Sequence, residues 1–369
     1  MSVSVDFTSR RDPALDGFRG LMTLLVLVSH YFAEIRGGFP RAALGFVAVD
    51  GFFVLSGLLV GRLVLEKGMA SNFMAVFYLR RVFRTFPIYF VCLALGLTAA
   101  AWVGLPGDER VPAWSYFAFV NNIYSATAGD IGREWLSPNW TMAVEEQFYL
   151  IAPALLLFTP RRARLPMLAG VIAFAIVSRA ALMGLGASGE ASTMLLVSRA
   201  DCLAIGLSAA VLLNGGGDWR GRLWLSLAFT LAALALGVAF GAPAMTLVGH
   251  TLICAAVAVY LMAVAQGAPE RKSLDTRFLC YFGETSYAVY LTHMPVLWLA
   301  HALVRHAAPA LDSAAGLMVT LACMPITFAL AHGLSRHVEA PITAFGRSFR
   351  WGPPPRQAAQ PATRTAVSG

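Results

Sequence analysis

The sequence predicts an all-α fold: a polytopic transmembrane helical bundle of about ten spans, with the N and C termini both cytoplasmic. Three observations carry this. Of the 369 residues, 58% are hydrophobic and only 13% charged, with a positive mean hydropathy; that excludes a disordered chain and argues against an ordinary soluble enzyme. Apolar stretches that approach or exceed the roughly 18 residues of a bilayer crossing recur along the chain. Finally, 21 of the 28 basic residues fall in segments that a ten-span, N-inside arrangement puts in the cytoplasm, as the positive-inside rule expects. The inner (plasma) membrane of the cell, crossed many times, is the expected location. The net charge of +8 is scattered between spans, so the lipid bilayer and an anionic cofactor are better partners than nucleic acid.

Taken in order, residues 1–13 form a short cytoplasmic segment with Arg10 and Arg11. The domain proper, 14–345, opens with span one at about 15–33, and no cleavable signal peptide is expected before it. A Gly/Pro/Arg turn leads to span two, about 43–65. Residues 73–84 mix aromatic and basic side chains and read as an interfacial amphipathic helix. Span three follows at about 86–104, with Pro87 in its opening turn. The longest polar interval, 105–139, precedes span four at about 140–158. Spans five to ten fall near 166–186, 200–214, 223–241, 245–265, 281–304 and 315–334. The stretch 346–369 is rich in Pro, Ala, Arg and Gln and reads as a disordered cytoplasmic tail. Cys92, Cys202, Cys254, Cys280 and Cys323 show no metal-ligand spacing; they read as packing residues, and no metal site is expected.

Span one carries the most informative pattern. Arg19 and His30 are eleven residues apart, which is three helical turns plus roughly 20° and about 16 Å along the axis. One face then holds a cation near the cytoplasmic surface and an imidazole about half a membrane deeper. Ionisable groups inside a span are costly and usually face a protein interior or a wet cavity, although an Arg near a helix start also snorkels to lipid phosphates. Arg81 and Arg84 are neighbours on one helix face; with Arg19 they form a cytoplasmic cluster suited to phosphates, or a plain positive-inside anchor. Glu145 and Glu146 lie early in span four, and Glu145 shares a face with Tyr149. Such a carboxylate orients the His30 imidazole, accepts a proton from a hydroxyl substrate, or only suits a helix's first turn. Asp201 caps span six, pairs with Arg199, or contacts substrate. Ser286, Tyr290 and His293 share one helix face; they either glue helices together or line a cavity.

These stretches together resemble the acyltransferase 3 family of integral membrane acyltransferases. The resemblance rests on Leu15-Asp16-Gly17-Phe18-Arg19 through His30, Phe52-Phe53-Val54-Leu55-Ser56-Gly57, and Arg81-Val82-Phe83-Arg84. It continues with Trp140-Thr141 through Val144-Glu145-Glu146-Gln147-Phe148-Tyr149, Ser286-Tyr287 through Leu291-Thr292-His293, and Glu339-Ala340-Pro341. It covers about residues 13–345 in the family's order. Thr141-Met142 departs mildly from the family's Ser-Leu, and the soluble C-terminal domain of some members has no counterpart in this sequence; its step is expected to be absent or supplied by a partner. The resemblance implies transfer of an acyl group, usually acetyl, from cytoplasmic acyl-CoA (acetyl-CoA) to a hydroxyl of a glycan, lipid-linked sugar or similar acceptor. It implies His30 as the catalytic residue, assisted by Glu145 or Glu146, and Arg19, Arg81 and Arg84 at the donor site. Trp135 and Trp140 are expected to stack on a sugar ring, or to belong to an aromatic belt. Tyr149, Asp201, Ser286, Tyr290 and His293 are the other candidate substrate contacts. A transporter of an anionic solute, using the same intramembrane Arg and His, is the competing reading.

Overall fold

A computed structural model describes residues 12–39 and 44–353. The first eleven residues and the end of the expected tail, from 354, lie outside the described residues. Ten long helices make up the described chain: α1 (Pro13–Val28), α2 (Leu44–Lys67), α3 (Phe73–Val103), α4 (Asn139–Phe158), α5 (Arg164–Gly184), α6 (Leu196–Asn214), α7 (Leu223–Ala244), α8 (His250–Ala265), α9 (Arg277–Arg305) and α10 (Ala314–Leu334). Each predicted span overlaps one of them. Among the described residues, eight stretches are long and apolar enough to cross a membrane. One of these, Arg220–Ala265, is α7 and α8 packed against each other, with the chain bent at Gly241 (φ 70°, ψ −160°). Only glycine takes that backbone conformation readily.

The expected break between the segment 73–84 and span three is absent. Both belong to α3, which runs 31 residues straight through Pro87. A proline lacks the N–H that would bond the carbonyl four residues back, but neighbouring helices can re-satisfy that group. The start of the expected disordered tail also needs correction. After α10 the chain makes a π-helical turn (Ser335–Glu339) and a short helix, Ala340–Arg347, which packs on α3. Residues 348–353 then dock on the beginning of α3: Arg80 Nε donates to the Phe349 carbonyl at 3.0 Å, and Trp351 stacks on Phe73 at 5.4 Å.

Two glycine-mediated crossings set the register of the bundle. In the first, α1 and α9 run parallel. A Cβ on Gly20 would lie 2.0 Å from the Leu279 carbonyl oxygen, and one on Gly283 would lie 1.9 Å from that of Asp16. In the second, α2 and α6 run parallel, with hypothetical Cβ atoms on Gly57 and Gly206 each 2.2 Å from a carbonyl of the other helix. Small residues let backbones approach this closely.

Seven residues before each glycine of the second crossing lies a charge. Asp50 and Arg199 form an ion pair, both buried. Asp50 also meets His250 Nδ1 at 2.8 Å. Beside them Arg179 donates to Asp201 Oδ2 at 2.9 Å. An ion missing its partner at such a site would be strongly destabilising, so α2, α5, α6 and α8 are tied by mutual need. Cys202 and Cys254 join Asp50, the three ligating atoms lying within 4.8 Å of one another. Both Asp50 oxygens are already engaged by Arg199 and His250. Nothing in the cysteine spacing announces this gathering.

The polar interval between α3 and α4 is folded. It holds short helices at Ala113–Phe117, Asn121–Ala128 and Glu134–Leu136. Arg110 joins Asp108 at 2.9 Å to Asp130 at 2.6 Å, and Arg133 donates to the Val111 carbonyl. The Arg110 guanidinium holds the Asp108 carboxyl below the usual carboxylate range.

Candidate active site

At the end of α1 the helix loosens into a π-helical turn, Ser29–Ala33, a distortion frequent at functional sites. His30 lies in it. Its Nδ1 is 2.8 Å from His293 Nε2 of α9, and the two imidazoles stack at 5.0 Å with 16° between planes. The Gly20–Gly283 crossing lower in the same helix pair makes this approach possible. Tyr31 locks the arrangement. Its hydroxyl donates to the His293 carbonyl at 2.9 Å and accepts from Thr327 of α10 at 2.8 Å. On its other side, His30 Nε2 lies 3.5 Å from Glu34 Oε2. The Ser29 hydroxyl donates to the second Glu34 oxygen at 2.7 Å.

A cavity of about 130 Å³ opens on the opposite side of Tyr290. Its lining includes Arg19, Arg81, Arg84, Phe52, Thr141 and Tyr290; along α4 it runs from Thr141, bonded to Tyr290, to Tyr149, two turns on, beneath Arg81. Arg19 pairs with Asp16 at 3.0 Å. Arg81 lies over the Tyr149 ring at 3.6 Å, a stacking a guanidinium favours. Glu145 sits in the wall. Ser56 donates to one of its oxygens at 2.6 Å and Tyr149 to the other at 3.2 Å. The Tyr290 hydroxyl is held by Thr141 at 2.6 Å and by the Pro138 carbonyl at 3.0 Å. Its ring stands 5.8 Å from that of His293, so Tyr290 is the partition between the cavity and the histidine pair.

The structure thus brings together Arg19, Arg81, Arg84, Glu145, Tyr149, Ser286 and Tyr290 around one cavity, with His30 and His293 just behind it. Four expectations change. The carboxylate beside His30 is Glu34, four residues on and so on the same helix face, while Glu145 is engaged by Ser56 of α2 and by Tyr149. Asp201 is buried against Arg179 and Thr251, away from the cavity lining. Trp140 is a core residue, edge-on to Phe53 at 6.1 Å, and does not line the cavity. Glu146 also lies outside the lining; its Oε1 and the Arg81 Nε are buried without a hydrogen-bond partner. Glu34 escaped the sequence reading although it stands four residues from His30. The polar stripe on span one had only to be followed one turn further.

A helical membrane bundle with this cation-rooted cavity and imidazole pair fits the acyl-transfer class, and the chain belongs to the acyltransferase 3 family: the family profile, described as an acyltransferase domain, matches residues 12–335. Among curated proteins it is similar to the peptidoglycan O-acetyltransferase OatA of Listeria monocytogenes, with 26% identity over 94% of this chain and 58% of that protein. Acyltransferase MdmB of Streptomyces mycarofaciens is 26% identical over 80% of this chain and 81% of its own length. O-acetyltransferase OatA of Staphylococcus aureus is 27% identical over 42% of this chain and 26% of its own. The chain therefore spans little more than half the length of the Listeria relative. No solved structure matches. The apolar helices and these relatives together make it a multi-pass membrane protein.

Proposed function

We propose that this protein is an O-acetyltransferase that moves an acetyl group from cytoplasmic acetyl-CoA to a hydroxyl of a carbohydrate acceptor. The observation that carries this reading is a single cavity lined by three guanidinium groups and by Tyr290, whose ring stands 5.8 Å from that of His293 in the His30–His293 pair. Guanidinium forks suit the phosphates of coenzyme A. A cavity this small admits the acyl-bearing arm and leaves the nucleotide at the mouth. Ten spans with both termini inside would put Arg19 at the cytoplasmic face and His30 in the outer half, consistent with the distribution of basic residues.

His30 acts as general base on the acceptor hydroxyl. Arg19, Arg81 and Arg84 hold the donor. Glu145, fixed by Ser56 and Tyr149, shapes the donor end and keeps the Tyr149 ring beneath Arg81. Ser286 and Tyr290 contact the passing acyl group. The acceptor is read as a glycan because one relative is named for peptidoglycan O-acetylation, and the plasma membrane is where such an enzyme meets both substrates.

The test uses purified protein in lipid, radiolabelled acetyl-CoA and an extract of surface glycans. The wild type should label the glycan, and His30→Ala should lower transfer by about 100-fold or more while its yield and folding are retained. Full transfer by His30→Ala would remove His30 from the mechanism. Solute flux into vesicles without an acyl donor would favour the transporter reading instead.

A further inference from the structure

We propose that His293 and Glu34 bracket His30 from its two ring nitrogens: His293 keeps Nδ1 protonated so that Nε2 is the working nitrogen, and Glu34 stabilises the imidazolium that forms there. This rests on the reading of His30 as the base.

The hydrogen bonds impose the assignment one after another. His293 Nδ1 lies 3.1 Å from the Val289 carbonyl. A carbonyl only accepts, so Nδ1 of His293 carries the proton. His293 is buried, and among the described residues no carboxylate lies within hydrogen-bond distance of it. An imidazolium there would be an isolated buried charge. The ring is therefore neutral and its Nε2 is an acceptor. The group facing that lone pair at 2.8 Å is His30 Nδ1, which must donate. Nε2 of His30 is then left as the nitrogen that gains and loses a proton. It faces Glu34 Oε2 at 3.5 Å, and the other Glu34 oxygen is occupied by Ser29. Tyr31 and Thr327 hold the His293 backbone, which keeps the order of donors fixed.

In the transfer step, His30 Nε2 takes the acceptor hydroxyl proton as the hydroxyl oxygen bonds to the thioester carbon. The carbon–sulfur bond then breaks, and the proton passes from Nε2 to the departing thiolate. Proton and electron pair are both accounted for by ester and free thiol. Glu34 changes no bond; its charge lies beside the cation while that cation exists. Glu34 and His293 are positioning residues, and His30 alone touches the reacting hydroxyl.

Two measurements on the whole protein in lipid nanodiscs test this. The first is ¹⁵N NMR of the histidine-labelled protein, which distinguishes the two ring tautomers. His30 should be the Nδ1–H form in the wild type and in Glu34→Gln. It should become a mixture in His293→Phe and return to Nδ1–H in His293→Gln, whose amide oxygen can accept. The second is kinetics with acetyl-CoA. Glu34→Gln should lower kcat by about 10- to 100-fold with little change in KM, since the imidazolium exists only after proton transfer. Glu34→Asp should recover part of the loss. A His30 ring protonated on Nε2 in the wild type, or a Glu34→Gln enzyme with unchanged kcat, would overturn the proposal. A wild-type protein that shows the Nδ1–H form yet transfers no acyl group would overturn the functional reading and leave only the tautomer assignment standing.

Discussion

Asp50 and Arg199 show how much a single side chain can hold in a bundle of this kind. Both are buried and each neutralises the other. Asp50→Asn leaves Arg199 as an uncompensated interior cation, so a loss of about 3–5 kcal/mol is expected. It should be read as a lower unfolding midpoint in detergent. Replacing the pair with Asp50→Leu and Arg199→Met should restore only part of that stability: the two apolar groups need no partner, but the buried His250 loses its carboxylate. Neither residue lines the cavity, so transfer per folded molecule should survive in the double variant. The sequence carries both charges openly but does not say that they meet. The two are 149 positions apart, and a single sequence has no periodicity at that range. Arg19, Arg81 and Arg84 were readable as a set only because a cytoplasmic position for each followed from the spans around it.

At the level of helices, the glycine crossings decide where the chemistry stands. Gly20→Ala would drive a methyl group to 2.0 Å from the Leu279 carbonyl, and backbone cannot yield as a side-chain tip can. The expected outcome is a stability loss of about 1–3 kcal/mol and a fall in kcat as His30 separates from His293. Gly170→Ala is the control: a Cβ there meets nothing within 4 Å, so it should be silent or stabilising by about 0.5–1 kcal/mol. Thermal unfolding and initial rates of both variants separate the two cases. Helix positions were legible because long apolar runs fix them. The π turns at Ser29–Ala33, Met245–Gly249 and Ser335–Glu339 were not. Each is a local accommodation to neighbouring helices, and its sequence remains ordinary helix.

For the molecule as a whole, the segment 348–353 docks on the start of α3, the helix that presents Arg81 and Arg84. Asn72 Nδ2 donates to the Arg350 carbonyl at 3.1 Å, and the Arg80 guanidinium stacks on Trp351 at 4.7 Å. Truncation after Arg347 should free this end of α3. The expected effect is a rise of about tenfold in KM for acetyl-CoA with kcat nearly kept, since a misplaced guanidinium weakens donor binding before it touches the chemistry. A truncated protein with wild-type KM would show that α3 holds its arginines unaided.

The pairing of His30 with His293 also has a consequence for biogenesis. The two residues are 263 positions apart, so at roughly 5–20 residues per second the ribosome needs roughly 13 to 53 seconds to deliver the second after the first. Throughout that interval His30 lacks His293, and Gly20 lacks the Leu279 carbonyl against which it packs. The first helix must therefore wait for α9, and nascent chains stopped before α9 are the species on which membrane quality control would act.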